Sequence, residues 1–544
     1  MRAYHLVTAA PNLLDASLNS TYAAHVTARL LDFFADTTPW PRRLWDISSA
    51  LALREAWEAG DWQREQVLGA SAVGWYLHTL ERQIGPDRGL GDSLLRKELT
   101  QLLRSGLAPD SQQRRRLKQI IPLATDGYLT RWMEAVETAA PPSPERLARA
   151  VATHLLDSGW SSGQLHRWVH DTAQLSDATL RHLLEYARDL AACGDSEFEV
   201  LVPFLAVPNQ QALAERLPEW RPAPAAAEWF EEQGVTRRPR HNGAFVYRIM
   251  AKDAVAAARA AGALVLRLQA RNSFARAGRG RLQPVGQVWV GDYPEALPVQ
   301  PPARGADVLS LQREGTMYSV TDSDRLDDAL ELAAPLNEGP PAPALSGAWA
   351  AIESLLYHPG DKDDPDGGRV VAADRLAALV ACSWPRAELT ALSYRHRPTQ
   401  PDELSRALEA ASTNIERCRE VARAVASGAS LTLSQPSDVA ACERMSKVLA
   451  GPRRELADVR AVYCSVLRRL YRHRNIVNHG GTTAAVALDA TLRTAAPLVG
   501  AGLDRLVHAA LTLRIEPLDL AARAENSLAL VGDPLGPPVT GLLN

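Results

Sequence analysis

The chain has 544 residues, of which 46% are hydrophobic and 23% are charged. These fractions are close to those of ordinary globular proteins, so they exclude collagen-like, coiled-coil and wholly disordered chains. With 63 acidic and 60 basic residues, the formal net charge is −3, and no overall charge attracts the chain to nucleic acid or to an anionic membrane. Any such partner must bind a local patch.

The first 200 residues have the pattern of amphipathic helices. Apolar residues recur there at spacings of three and four, as they do along one face of a helix. Helix start signals interrupt the pattern, among them Ser143-Pro144-Glu145, where a capping residue precedes a proline. We therefore predict an N-terminal helical region over residues 1–200.

The periodicity changes over residues 201–336, which we predict to form a small α+β module with connectors. The predicted elements are a strand or extended connector at 197–207, a strand at 244–250, a helix at 254–261, and strands at 264–270 and 285–290. The helix between two strands indicates that the module begins as a βαβ unit.

A proline-rich linker is expected at 337–345, followed by a second helical region at 346–513 and a tail at 514–544. Pro385 and Pro497 are expected to kink or break two of its helices. The helices are predicted near 345–357, 372–395, 402–427, 437–449, 455–479 and 484–513. The predicted fold class is mainly α, with a small central α+β module.

The most informative stretch is 467–481, with the sequence LRRLYRHRNIVNHGG. It has the pattern of the end of a long helix, because two glycines form the usual C-terminal stop. Residues four apart are neighbours on a helix, so Asn475 should lie near His479, and Arg474 near Asn478. These four polar side chains are expected to converge on the last helical turn.

The pattern Arg474-Asn475-x-x-x-His479 resembles the R-x(4–6)-H motif of the HEPN superfamily (higher eukaryotes and prokaryotes nucleotide-binding domains). Members of this superfamily are helical bundles and are often metal-independent ribonucleases. Together with Trp349 and Glu353 on an earlier helix and with Tyr471, the motif is similar to the Apea-like branch, which is associated with anti-phage defence. The resemblance covers 345–513 and implies a C-terminal HEPN-type helical bundle.

Two other arginine–histidine pairs have the same spacing, Arg149 with His154 and Arg468 with His473. The 474–479 pair differs from them in its adjacent asparagine, in its position at a helix end and in the Gly-Gly stop. We therefore take it as the candidate site.

The resemblance implies a role for each site residue. In metal-independent RNA cleavage the ribose 2′-hydroxyl attacks the neighbouring phosphate, which requires a proton acceptor and a cation. His479 suits acid–base catalysis, Arg474 suits phosphate binding, and Asn475 suits orienting the phosphate or the histidine. The supporting residues are Glu353, Asn478 and Tyr471, and the expected RNA-binding residues are Arg468, Arg469 and Arg472. We expect neither a metal nor a cofactor.

One histidine does not supply both an acid and a base, so we expect a homodimer through the C-terminal bundle. The predicted function is an endoribonuclease acting on RNA, with tRNA as one candidate substrate, as an anti-phage defence or abortive-infection effector. Its N-terminal region would sense a phage-derived trigger. The alternative is a non-catalytic HEPN domain that binds nucleotide or RNA on a protein-interaction scaffold.

The location is predicted from the cysteines and from the absence of targeting signals. The five cysteines are far apart and include no C-x-x-C pair, which argues against a disulfide framework and fits a reducing compartment. We find no signal-peptide pattern and no run of about 18 apolar residues. We expect a cytoplasmic protein without a membrane partner.

Overall fold

A computed structural model of the chain describes residues 12–208, 210–276, 281–300, 302–313, 315–318, 324–363 and 368–544. The structure is 66% helical with one small antiparallel sheet among the described residues, so the predicted fold class is confirmed. None of the described helices combines the length and the apolar character that crossing a bilayer requires.

The chain divides into two compact units. The first contains the residues up to His154, Val169–Arg188 and Arg304–Asn544. The second contains Leu155–Trp168 and Asp189–Ala303. The second unit holds the sheet, and the first is built from helices that come from both ends of the chain.

The N-terminal part is helical, as predicted. Its helices are α1 (Thr21–Phe34), α2 (Ser49–Arg64), α3 (Ala70–Ile84), α4 (Ser93–Arg104), α5 (Gln112–Thr125), α6 (Tyr128–Val136), α7 (Pro144–Asp157), α8 (Ser162–Gln174) and α9 (Leu180–Ala192). The side chains of Ser48, Asp92 and Ser111 accept a backbone N–H at the starts of α2, α4 and α5. Such caps fix where each helix begins.

The sheet of the second unit has the strand order β2-β3-β1-β5-β6, with β4 also paired to β1, and the pairings are antiparallel. The elements are β1 (Ser196–Ala206), α10 (Gln210–Arg216), β2 (Trp220–Pro222), α11 (Ala223–Glu232), β3 (Gly243–Ala251), α12 (Ala254–Arg276), β4 (Gln283–Pro284), β5 (Gln287–Val290) and β6 (Leu297–Pro298). Since β3 and β5 both run antiparallel to β1, α12 joins two parallel strands across it. This is a βαβ unit in which β1 lies between the two parallel strands.

The predicted strand at 264–270 is wrong, because α12 continues through these residues to Arg276. Val265 is buried one turn after Ala261, at the spacing of a helix face packed on a sheet. Gly262 lies against the backbone carbonyl of Val299, where a Cβ atom would clash. The short apolar stretch is therefore part of the helix face that packs on the sheet.

The C-terminal helices form one large core. They are α13 (Leu309–Arg313), α14 (Arg325–Ala333), α15 (Pro335–Glu338), α16 (Pro341–Leu356), α17 (Val371–Arg395), α18 (Glu403–Ala410), α19 (Asn414–Ala426), α20 (Pro436–Ala450), α21 (Pro452–Gly480), α22 (Leu488–His508) and α23 (Pro517–Leu530). Helix α17 packs between its neighbours and buries most of its length. It and α21 provide the frame for the candidate site.

Several C-terminal boundaries differ from the expected ones. Residues expected to form a linker begin α16, because prolines occupy the first helical positions of α15 and α16, where no N–H is needed. The predicted helix at 402–427 is interrupted before Asn414, where Thr413 and Glu416 form a capping box. Helices α17 and α22 continue through Pro385 and Pro497. The expected tail contains α23, which packs into the core.

The N-terminal segment completes this C-terminal core. Trp45 is buried in the same cluster as the C-terminal helices and makes edge contacts with Trp384 and Tyr463. The guanidinium of Arg42 donates to Glu388 at 3.0 Å and to Asp438 at 2.8 Å, and all three side chains are buried. The helices before and after the central module thus share one interior.

Candidate functional site

Helix α21 ends where the sequence predicts. It runs to Gly480, and Gly481 follows in the left-handed conformation with φ +64°. A residue with a Cβ atom is strained in that conformation, whereas glycine is not. The glycine pair therefore fixes the position of the last helical turn, which carries Asn475, Asn478 and His479.

The side chains of this turn lie at the surface. Arg474 is half-buried, and its Nη1 donates to Oδ1 of Asn475 at 3.0 Å. Asn478 accepts from the hydroxyl of Ser346 at 2.7 Å, which ties the turn to α16. His479 is exposed, and within the described residues its ring has no hydrogen-bond partner. The imidazole is therefore open to a ligand.

The four polar side chains are spread over about 140° of the circumference of the helix. Because α21 stays helical to Gly480, Arg474 and His479, five residues apart, project about 140° apart around its axis. Among these four side chains, the structure shows one hydrogen bond, from Arg474 to Asn475. Asn475 shares a side with His479, and Asn478 shares a side with Arg474.

The aromatic and acidic residues of the earlier helix lie beside α21. The rings of Trp349 and Tyr471 lie with their centroids 4.5 Å apart, and Trp349 is fully buried. Glu353 accepts from the indole of Trp349 at 2.7 Å and pairs with Arg369 at 3.0 Å. Glu353 thus holds the bundle together, and its ion pair is with Arg369 rather than with Arg474.

Arg468, an expected RNA-binding residue, joins two helices. Its guanidinium makes a two-pronged ion pair with Asp374 of α17 and lies 4.3 Å from the ring centroid of Trp75 in α3. A planar guanidinium suits both contacts, since it pairs through its edge and stacks through its face. In this conformation the guanidinium of Arg468 therefore holds helices together and is not presented to RNA.

Arg469 and Arg472 also form ion pairs, in their case with a buried carboxylate of the N-terminal part. Glu55 of α2 accepts from Arg469 at 3.0 Å and from Arg472 at 3.1 Å. Burial alone would raise the pKa of Glu55, but the two guanidinium charges outweigh it and hold that pKa well below its usual range. The side chains that we expected to bind RNA instead attach α21 to α2.

The two competing arginine–histidine pairs are structural. His473 is fully buried, 3.4 Å from Glu55, and burial lowers its pKa. Arg149 pairs with Glu145 and Asp46, and His154 stacks on the ring of Tyr128. Neither pair therefore faces a ligand, whereas His479 does.

The N-terminal part also reaches the last turn of α21, which sequence reasoning missed. The ring of Trp62 lies against Gly480, about 3.1 Å from where a Cβ atom would be. Glu58 accepts the backbone N–H of Val486 at 3.3 Å, just after the glycines. The sequence contains one indication of this contact. Glu55 lies one turn from both Leu51 and Ala59 on an otherwise apolar helix face, where a charged residue needs a buried partner.

The arrangement offers an imidazole and a guanidinium, and no acidic cluster, to a ligand. Among the described residues, no group of three or more His, Cys, Asp or Glu side chains is arranged to hold a metal ion. Comparison of the chain with protein-family models, with curated proteins and with solved structures finds no match, so a function for this site has to be argued from its residues.

Proposed function

We propose that the protein is a metal-independent endoribonuclease of the HEPN type, with His479 as the acid–base residue and Arg474 as the phosphate ligand. One observation carries the proposal. Of the three arginine–histidine pairs with this spacing, the pair at the end of α21 has an exposed imidazole and an arginine without an ion pair among the described residues. The other two pairs are engaged in the interior.

The proposed chemistry uses side chains of this chain and of a second copy of it. His479 takes the proton of the ribose 2′-hydroxyl, whose oxygen then attacks the neighbouring phosphorus. Arg474 balances the negative charge that develops on the phosphate oxygens. The 5′-oxygen leaves with a proton from the protonated His479 of a second copy, and the products are a 2′,3′-cyclic phosphate end and a 5′-hydroxyl end.

We further propose that the active enzyme is a homodimer with composite sites. Two points support this: Arg474 and His479 leave the helix about 140° apart, and one imidazole does not supply both an acid and a base. A two-fold axis near the end of α21 would place Arg474 of one copy beside His479 of the other. Two imidazoles would then also be available as acid and base.

The cellular role belongs to the same proposal. The resemblance to Apea-like proteins supports a cytoplasmic defence or abortive-infection effector that cleaves RNA, with tRNA as one candidate, after sensing a phage-derived trigger. The contacts of Trp62 and Glu55 with α21 support regulation through the N-terminal part, because a movement of α2 would act directly on the last turn.

The first experiment is cleavage of total RNA and tRNA by the full chain in EDTA. We expect cyclic-phosphate ends from the wild type, and a loss of about 100-fold or more in rate for His479→Ala. His78→Ala is the matched control, because His78 is also an exposed histidine on a helix. Equal cleavage by wild type and His479→Ala would show that another enzyme or another site cleaves the RNA.

A complementation experiment tests the composite site. Arg474→Ala and His479→Ala proteins, each inactive alone, are mixed and allowed to exchange subunits. Each mixed dimer then holds one wild-type Arg474 beside one wild-type His479 of the other copy, so a measurable part of the wild-type activity, at most about a quarter, should return. No recovery in demonstrated mixed dimers would mean either that a site needs both imidazoles or that its Arg474 and His479 come from one chain, and a dimer of wild type with His479→Ala, inactive only in the first case, separates the two. RNA binding without cleavage by the wild type, lost in Arg474→Ala, would favour the non-catalytic alternative.

A further inference from the structure

The first unit contains a cavity of about 590 Å³ that the proposed nuclease does not use. Its walls come from the loop at 36–43, the segment at 305–313, the second half of α17, the middle of α22 and residues 540–543. Cavities that bind small organic ligands have volumes of about 300 to 1,000 Å³. The size is therefore that of a ligand site rather than of a packing defect, which holds at most a few water molecules.

Part of the cavity wall is apolar. Small side chains at Ala387 and Ala391 leave space between α17 and α22, and Leu542 and Trp40 close other sides. Leu542 is fully buried, and Trp40 is half-buried. A ligand that fills this space gains free energy from the apolar surface that it removes from water.

The charged groups of the lining leave one positive charge in excess. The arginines are Arg42, Arg43, Arg313, Arg386 and Arg505, and the acids are Asp36, Asp307, Glu388 and Asp504. Arg42 pairs with Glu388, and Arg313 lies 3.4 Å from Asp504. The guanidinium of Arg43 donates hydrogen bonds to backbone carbonyls, including those of Thr38 at 2.7 Å and Arg304 at 3.1 Å.

Arg386 is a lining cation that has no ion pair within the described residues. In the described part of the chain, its one hydrogen bond goes to the amide oxygen of Asn544, at 3.2 Å. It is half-buried, and burial lowers the pKa of its guanidinium. A half-buried guanidinium with a neutral partner is stabilised by an anion with two oxygens in a plane, because its N–H groups form a matching fork.

We propose that this cavity binds a small monocarboxylate, whose carboxylate pairs with Arg386 and whose apolar body fills the space between α17 and α22. A single negative charge matches the single excess positive charge of the lining. A phosphate dianion would need a second cation. A neutral apolar molecule would not provide a negative charge for Arg386.

The cavity is separate from the candidate nuclease site. Helices α17 and α21 run antiparallel, since Arg468 pairs with Asp374 and Arg460 acts electrostatically on Cys382. Arg386 lies about 18 Å along α17 from Asp374, at 1.5 Å per residue. Arg474 lies about 9 Å from Arg468 in the opposite direction. The proposal therefore does not depend on the nuclease function.

Isothermal titration calorimetry on the full chain tests the proposal. The probes are 3-phenylpropanoate and octanoate, which have one carboxylate on an apolar body. The comparison compounds are 3-phenylpropan-1-ol, which lacks the charge, and acetate, which lacks the body. We expect saturable binding of one molecule per chain for at least one probe, and affinities about tenfold or more lower for both comparison compounds.

Two variants locate the binding. Arg386→Gln removes the charge and should weaken the probe about tenfold or more, whereas Arg395→Gln, an exposed arginine of the same helix, should bind as the wild type does. Ala391→Phe keeps the charge and fills the space, so it should abolish binding, with circular dichroism showing that the fold is kept. The proposal is overturned if neither probe binds, if the alcohol binds as well as its carboxylate, or if Ala391→Phe binds as the wild type does.

Discussion

Glu55 is the residue on which the position of α21 depends most directly. Its carboxylate is buried between Arg469 and Arg472, and the guanidinium of Arg472 also lies 4.2 Å from the ring centroid of Tyr76. Each of these charges has lost its contact with water and depends on the others. Removal of the carboxylate would leave two guanidinium groups buried without a negative partner.

We predict that Glu55→Gln lowers the free energy of unfolding by about 3 kcal/mol or more, because breaking a buried ion pair leaves its partner charged in a poorly solvated place. Urea unfolding followed by circular dichroism measures this. Glu65→Gln, at an exposed position just after the same helix, should change the free energy by less than about 0.5 kcal/mol. A decrease of less than about 1 kcal/mol in the free energy of unfolding for Glu55→Gln would mean that water reaches the guanidinium groups of Arg469 and Arg472.

The sequence identifies the polar residues of the last turn, but not which arginines are free. Asn475 and Asn478 follow from local spacing, since a helix brings residues four apart together. The engagement of Arg469 and Arg472 could not be predicted, because their partner Glu55 is more than 400 positions away in the chain. A stripe of arginines has the same local pattern whether it faces solvent or a distant carboxylate.

At the scale of the helix, the end of α21 is defined by local conformation. Gly481 has φ +64°, and the ring of Trp62 lies against Gly480. Gly74, by contrast, lies in the middle of α3, is exposed, and has open space within 4 Å of the place that a Cβ atom would occupy. The two kinds of glycine should respond in opposite directions to the same substitution.

We predict that Gly481→Ala lowers the free energy of unfolding by about 1 kcal/mol, because the left-handed conformation is unfavourable for a residue with a Cβ atom. Gly74→Ala should raise it by up to about 1 kcal/mol, since alanine has the higher helix propensity. Chemical unfolding of the two variants beside the wild type measures both changes. A change of the same sign in both would contradict this assignment of the helix end.

Helices of the C-terminal part are predictable from their period because their apolar faces repeat over several turns, as in α17 and α21. The strand predicted at 264–270 fails for the opposite reason. That stretch is short and apolar, and such a stretch fits a strand and a buried helix segment equally. The close contact that favours the helix, Gly262 against Val299, involves a residue just after β6, more than 30 positions further along the chain.

At the scale of the whole chain, the predicted separation of an N-terminal helical region from a C-terminal bundle does not describe the packing. Trp45 lies in the core of the C-terminal helices, and Leu51 packs with Ala487 and Ala490. Arg42 supplies the positive charge between Glu388 and Asp438. The two contacts of Arg42 join residues more than 340 positions apart, so local sequence patterns carry no sign of them.

We predict that a fragment of residues 338–544 does not fold cooperatively by itself, because it exposes the apolar surface under Trp45 and leaves Asp438 without Arg42. Near-ultraviolet circular dichroism during heating measures this. Co-expression with residues 1–337, which carry Trp45 and Arg42 as well as the core residues of α14, should restore a complex that unfolds in one transition. A fragment that melts cooperatively at the temperature of the full chain would contradict the shared core.

The shared core limits which segments of the chain recombination can exchange. A bundle that is completed by a tryptophan and an arginine from the other end of the chain cannot be moved by recombination into an unrelated protein without losing part of its interior. The central sheet interrupts the sequence between them and has a core of its own. Replacing that insertion would leave the shared core in place, whereas a change in one flanking segment has to be matched by the other.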